Sequence, residues 1–132
     1  MKEWIKTKKN SKEHHHISSY YWKTFECEIC KTPYPYVFKA GGRKYNLIDI
    51  NKPENDYIIL ESLTLEKNTS RMVHVICPSS GVRSFKIGRG HDSDLRVNDI
   101  SVSRCHALIK FKNNAFYLTD NVSKFGTLVL VR

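Results

Sequence analysis

The sequence predicts an all-β domain from Tyr57 to Arg132, and three observations support this prediction. Apolar and polar residues alternate with a period of two in several short runs, such as Met72–Cys77, as in strands with one buried face. The runs are separated by clusters of Gly, Pro, Asn, Ser and Asp, which favour turns. No helical period competes after residue 20. Short strands with turns at this spacing indicate an antiparallel β-sandwich.

Each predicted strand is bounded by a turn signal. The strands are Tyr57–Leu65, Met72–Cys77, Ser84–Ile87, Cys105–Lys112, Ala115–Thr119 and Thr127–Val131. Asn113 and Asn114 are predicted to form a tight hairpin turn, because Asn tolerates a positive φ. Ala107, Ile109 and Phe111 share one face of their predicted strand, which makes them candidates for the core.

Composition divides the chain into three predicted parts. Residues 1–39 are basic and aromatic, residues 40–56 have the Gly, Asn and Pro content of a linker, and residues 57–132 hold the β domain. The net charge is +9, and residues 1–44 supply +6 of it, from ten Lys and Arg against four Asp and Glu. Since this excess lies near the N-terminus rather than along one face, nucleic acid is not the expected partner.

The composition, 40% apolar and 27% charged, is typical of a globular protein. No apolar run approaches the roughly 18 residues that a membrane helix needs, so no membrane span is predicted. The N-terminal stretch lacks the apolar segment of a secretory signal. We therefore expect an intracellular protein, cytoplasmic or nuclear, whose four cysteines are reduced or bound to metal.

Two loops of the β domain carry residue types suited to a phosphate group. Arg89 offers a planar fork of five N–H donors, and Ser103 offers a hydroxyl and a backbone N–H. Gly88 lets the backbone bend sharply at the strand end. Charge-assisted bonds to phosphate contribute roughly 1.5–3 kcal/mol each, so two or three of them, with help from neighbours, suffice for micromolar binding. Considered alone, an Arg at a strand end is usually a solvated charge, and a Ser such as Ser103 is most often a turn residue.

The run FKIGRGHDSDLRVNDISVSRCHALIKF, followed by NVSKFGT, resembles the forkhead-associated (FHA) domain over residues 71–132. The resemblance rests on a Gly-Arg pair, a Ser-x-x-His that begins at Ser103, and a later Gly126-Thr127, in that order between predicted strands. It implies a β-sandwich that binds phosphothreonine peptides. The family continues with further strands, so the resemblance also implies that C-terminal strands are missing and that the chain is a fragment.

The resemblance implies a role for each matching residue. The expected phosphopeptide contacts are Arg89, Ser103, Arg104, Lys124 and Phe125. The expected structural residues are Gly88, His106, Gly126 and Thr127, with His106 bracing the loop rather than touching ligand. Phe125 departs from the family, which has Asn there to bond the peptide backbone. We expect Phe125 either to contact an apolar residue beside the phosphothreonine or to mark a pocket with phosphate-independent contacts.

Three acidic residues of the same region suggest a calcium-binding loop. Asp92, Asp94 and Asp99 lie in HDSDLRVND, but this stretch lacks the Gly and the terminal Glu at the spacing of an EF-hand loop. We expect these carboxylates to shape the loops instead.

Cys27 and Cys30 have the spacing of a zinc knuckle. The sequence offers no obvious second pair of ligands, so a reduced, unliganded thiol pair is the alternative. The stretches MKEWIKTKKNS and WKTFECEICKTPYP, within residues 2–36, resemble the closing part of a RING-variant zinc finger, the type found in membrane-associated ubiquitin ligases. This resemblance implies a small, partly helical N-terminal appendage that holds two of four zinc ligands.

The main hypothesis is a non-enzymatic module that binds a threonine-phosphorylated protein. It requires no cofactor, and zinc is expected at Cys27 and Cys30 only where the missing ligands are supplied. One alternative is a part of a RING-variant ubiquitin ligase that recruits phosphorylated substrates. The other is a structural interaction domain that binds independently of phosphate. Nothing in the sequence resembles a catalytic set of nucleophile, base and orienting group, so no catalytic residue is predicted.

Overall fold

The computed structural model describes residues 10–14, 16–23, 25–62, 71–78 and 84–131. All regular elements in these residues are strands, and the prediction of an all-β fold is confirmed. The strands are β1 (Asn10–His14), β2 (Ile17–Trp22), β3 (Val37–Ala40), β4 (Arg43–Asn46), β5 (Ile58–Glu61), β6 (Arg71–Ile76), β7 (Ser84–Gly88), β8 (Leu95–Arg96), β9 (Ala107–Lys112) and β10 (Ala115–Asp120). Within the described part of the chain, no helix is long and apolar enough to cross a membrane.

The chain forms two compact units, of which the first is Met1–Cys77. Its main sheet has the strand order β1-β2-β6-β5, and every neighbouring pair is antiparallel. Alternate residues of β2 and β6, such as Tyr20 and Val73, are buried and form a core with Phe25 and Leu47. Strands β3 and β4 pair as a separate hairpin whose turn contains two glycines with positive φ.

This sheet joins residues that composition assigns to different parts of the chain. Strand β2, from the predicted N-terminal segment 1–39, pairs with β6, from the predicted β domain. The predicted linker 40–56 contains β4 and the buried Leu47. The break between the compact units follows Cys77. Gly and Pro content marks turns but does not reveal which strands pair.

The second unit, Pro78–Arg132, contains a sheet with the order β10-β9-β7-β8. Strand β7 runs antiparallel to β9 and parallel to the short β8. Phe85 of β7 and Ile109 of β9 lie opposite each other and are buried, as the period-two alternation predicts. The hairpin turn between β9 and β10 is confirmed, since Asn113 and Asn114 have φ values of 51° and 56°.

Two predictions near the ends of the chain are not supported. The strand at Thr127–Val131 is wrong, since these residues form no strand. The segment has no partner strand among the described residues, and Leu128 is 95% exposed, so it lacks the hydrogen bonds that hold an extended chain in a sheet. The partly helical N-terminal appendage is unconfirmed: residues 1–9 lie outside the described residues, and Asn10–His14 and Ile17–Trp22 are strands.

Candidate functional site

The end of β7 packs directly against the loop that precedes β9. Arg89 and Gly90 donate their backbone N–H groups to the carbonyl oxygens of Ser103 (3.0 Å) and Arg104 (2.9 Å). Gly88 has no room for a side chain, because a Cβ there would lie 2.2 Å from the carbonyl oxygen of Arg104. The glycine is therefore required by the close approach of two backbones rather than by a sharp bend.

The exposed side chain of Arg89 reaches across the same loop. Its Nε donates to the carbonyl oxygen of Val102 at 3.2 Å, and the Arg89 carbonyl oxygen accepts from Nε of Arg96 at 3.4 Å. A guanidinium has five N–H donors, and Nε uses one of them. Because no described residue bonds the two Nη nitrogens, their four N–H groups remain for a ligand.

Ser103 lies where three segments of the second unit meet. Its Oγ accepts a hydrogen bond from the backbone N–H of Lys124 at 3.0 Å, and its own backbone N–H donates to Nδ1 of His106 at 3.2 Å. The backbone N–H of His106 in turn donates to the carbonyl oxygen of Ile87 at 2.8 Å. Ser103 thus links the loop before β9 to the loop after β10, and it lies beside the backbone of Arg89.

Asp120, at the end of β10, organises the turn that carries Lys124. Its Oδ2 accepts from the backbone N–H of Ser123 (3.0 Å), and its Oδ1 accepts from the hydroxyls of Ser123 (2.5 Å) and Thr127 (2.7 Å). These bonds, those from Ser123 first, lower the pKa of Asp120 from its ordinary value of 3.8 to about 2. The carboxylate therefore stays ionised throughout the physiological range.

This depressed pKa predicts a pH dependence of stability. The ionised Asp120 stabilises the fold above pH 3.8, and that contribution is lost as the pH falls through about 2. Asp120→Asn should lower the hydrogen-exchange protection of the β9 and β10 amides above pH 3.8. Exchange at matched pH should show the gap between variant and wild type shrinking towards pH 2. A gap that stays constant at low pH would contradict this assignment.

The other predicted phosphopeptide contacts lie around the point where the loops of Arg89, Ser103 and Lys124 meet. The side chain of Arg104 is exposed, while its carbonyl oxygen accepts from Oγ of Ser93 at 3.0 Å. The Nζ of Lys124 lies 5.2 Å from the centroid of the Phe125 ring, within the range of a cation–π contact. Phe125 is 65% exposed, so its ring is accessible to a ligand. Gly126 follows with a φ of 77°, which glycine adopts without strain.

Three residues that hold the loops of the site in place were not predicted from the sequence. A Cβ on Gly90 would lie 2.8 Å from the Arg104 carbonyl oxygen, and Asn121 donates from Nδ2 to the carbonyl oxygen of Cys105 at 3.2 Å. Asp120 is the third, and the spacing Asp-x-x-Ser, which is typical of turns closed by an aspartate side chain, is the signal that indicates it. Contacts of Gly90 and Asn121 join separate loops, which local spacing does not reveal.

The acidic residues near the site act within the loops. Asp94 accepts a hydrogen bond from the backbone N–H of Lys86 at 2.7 Å, and Asp99 accepts from the backbone N–H and the hydroxyl of Ser101 at 2.8 and 2.6 Å. Asp92 lies 3.4 Å from Nζ of Lys86. Each carboxylate thus has a local partner, in line with a role in loop shape.

Cys27 and Cys30 lie in the first unit, in a turn closed by a bond from Lys31 N–H to the Cys27 carbonyl oxygen at 2.9 Å. Backbone N–H groups of Cys30 and Ile29 lower the pKa of the Cys27 thiol to about 7. Such donors suit a thiolate ligand, so the pair fits half of a zinc site. Among the described residues no group of three or more His, Cys, Asp or Glu could hold a metal, and zinc binding stays a prediction.

Comparison with known proteins gives one match. The family model of the FHA domain matches residues 85–130, about a third of the chain. No curated protein and no solved structure matches. The match does not extend to residues 2–36, and nothing in the comparisons supports the RING-variant resemblance there. The stretch in which Arg89, Ser103 and Lys124 converge is the stretch that matches the FHA domain family.

Proposed function

We propose that this chain binds a threonine-phosphorylated peptide through Arg89, Ser103, Arg104 and Lys124, and so recruits a phosphorylated protein. FHA domains are in general phosphopeptide-binding interaction modules, and residues 85–130 match that family. The single observation that carries the proposal is the convergence of the Arg89, Ser103 and Lys124 loops through the bonds described above. Recruitment needs no covalent step, and we propose no catalytic activity for this chain.

The chemistry of the convergence suits a phosphate monoester. The phosphate brings about −1.5 to −2 charges and three acceptor oxygens, and the Nη atoms of Arg89 present a planar fork that matches two of those oxygens. The Ser103 hydroxyl accepts from Lys124, so its own hydrogen is free to be donated to a third oxygen. Exposed Lys124 and Arg104 add positive charge around the rim.

Phe125 favours a second candidate function, a phosphate-independent interaction. Its ring is 65% exposed at the position where the family's Asn bonds the bound peptide. An exposed aromatic ring contributes binding energy through apolar contact and not through recognition of charge. In this second case the chain binds an apolar segment, and phosphorylation of that segment makes no difference.

One titration separates the two functions. The full chain is titrated with a peptide library carrying phosphothreonine and with the same library carrying unmodified threonine, by fluorescence anisotropy. We expect a Kd of order micromolar for the best phosphorylated peptides and binding at least tenfold weaker without the phosphate. Equal affinity for the two forms would refute phosphate recognition and favour the phosphate-independent function.

A further inference from the structure

A second surface of the second unit has the features of a binding groove. It lies on the sheet formed by β7, β9 and β10, is open to solvent, and has a volume of about 750 Å³, within the range of ligand sites. Its lining includes Ser84, Lys110, Lys112, Asn113, Tyr117 and Thr119. None of these residues belongs to the proposed phosphopeptide contacts.

The strand register shows that the groove lies on the outward face of the sheet. Ser84, Lys110 and Tyr117 lie directly opposite one another across the three strands, and directly opposed residues project from the same face. The neighbouring row contains Phe85 and Ile109, which are buried. Since successive side chains alternate between faces, Ser84, Lys110, Lys112, Tyr117 and Thr119 point away from that buried row. Phe111, which also lines the groove, lies two residues from Ile109 and so on the face of its strand opposite to Lys110 and Lys112.

The groove carries positive charge that no described residue neutralises through an ion pair. Lys110 and Lys112 are both exposed, and neither belongs to an ion pair among the described residues. No carboxylate lines the groove within the described part of the chain. Lys86 projects from the same face of the sheet, on β7, but it has an ion-pair partner, because Asp92 lies 3.4 Å from its Nζ.

We propose that this groove binds an acidic peptide segment in extended conformation, with carboxylates on alternate residues. Lys110 and Lys112 are two residues apart on one strand, so their Cα atoms are about 6.7 Å apart, the repeat of same-side residues in an extended peptide. The hydroxyls of Ser84 and Thr119 offer hydrogen bonds, and the half-exposed Tyr117 ring, 50% accessible, offers an apolar surface. Two cations and two rings are few for a nucleic acid, whose binding depends on many phosphate contacts and stacked bases.

The test uses a short labelled peptide of alternating Glu and Thr, and its Gln-Thr analogue, titrated into the full chain at low salt. The double substitution Lys110→Glu with Lys112→Glu should weaken binding of the Glu-Thr peptide about tenfold or more. The matched control is Lys39→Glu with Lys44→Glu, which reverses two exposed lysines that lie opposite each other in the β3–β4 hairpin. The control should bind like the wild type, and the Gln-Thr analogue should bind weakly to all three proteins.

Each alternative result overturns the proposal in a different way. Equal losses of Glu-Thr peptide affinity in both double variants would indicate that the peptide is attracted by net charge alone. Loss of binding in Arg89→Ala would place the acidic peptide in the phosphopeptide site. Tighter binding of a single-stranded oligonucleotide, abolished by the Lys110 and Lys112 substitutions, would assign the groove to nucleic acid. Because Arg89→Ala tests the phosphopeptide site separately, failure of one proposal leaves the other standing.

Discussion

Replacing Arg89 with alanine is expected to weaken the binding of a phosphothreonine peptide about a hundredfold. Toward the described residues the guanidinium uses Nε alone, on the carbonyl oxygen of Val102, and its Nη atoms are available to the phosphate. Loss of two charge-assisted hydrogen bonds, at roughly 1.5 kcal/mol or more each, corresponds to about that factor. Isothermal titration of wild type and variant with the same phosphopeptide measures it directly.

Two further variants separate phosphate recognition from general effects. Arg89→Lys keeps the charge but loses the planar fork, so it should recover only part of the affinity. Arg96→Ala removes an equal charge from the same unit, and among the described residues the Arg96 side chain makes one hydrogen bond, to the Arg89 carbonyl oxygen at 3.4 Å. We expect the Arg96 variant to bind nearly as the wild type does. Equal losses of phosphopeptide affinity in Arg89→Ala and Arg96→Ala would show that only net charge matters. An Arg89→Ala variant that binds the phosphopeptide as the wild type does would refute the phosphopeptide proposal.

Strands β7, β9 and β10 of the second unit were predictable because their sequence carries a local signal, whereas the two-residue β8 was not predicted. Phe85 lies between polar neighbours, and Ile109 shares every second position with Ala107 and Phe111. The Asn pair at 113–114 marks a turn through its tolerance of positive φ. The pairing of β2 with β6 joins residues about fifty positions apart, and no local pattern encodes that pairing. Thr127–Val131 has the apolar and β-branched residues of a strand, but strand formation also needs a partner, which local sequence does not supply.

The candidate site was predictable for a different reason, and only in part. Arg89 and Ser103 were identified because a guanidinium and a hydroxyl are groups that bind phosphate, in an order resembling the FHA domain. Gly90 and Asn121 bind no ligand in the proposed site, and their contribution is to hold the loops through contacts between separate segments. Residue chemistry therefore indicates what touches a ligand, whereas the framework behind it emerges only from the three-dimensional contacts.

Gly88→Ala is expected to destabilise the second unit by about 3 kcal/mol, near the upper end for an overpacked site. The added Cβ would meet the Arg104 carbonyl oxygen at 2.2 Å and that of Ser103 at 2.9 Å. Both are backbone atoms, so no side chain can rotate away and the two segments must separate. Separation would stretch the bonds from Arg89 and Gly90 to that loop and displace Ser103, so phosphopeptide affinity should fall as well.

Gly126→Ala provides the matched comparison in the same unit. Gly126 has a φ of 77° with open space where a Cβ would lie, so its substitution costs only backbone strain, about 1–2 kcal/mol. The loss of stability is measured by amide hydrogen exchange of β7 and β9, which reports on the second unit. Fluorescence of Trp22 would not report on it, because Trp22 lies in the first unit. We expect a clearly larger loss of protection in Gly88→Ala than in Gly126→Ala. The reverse order would mean that the 88–104 backbone contact does not hold these segments together, and that Arg89 and Ser103 are positioned by something else.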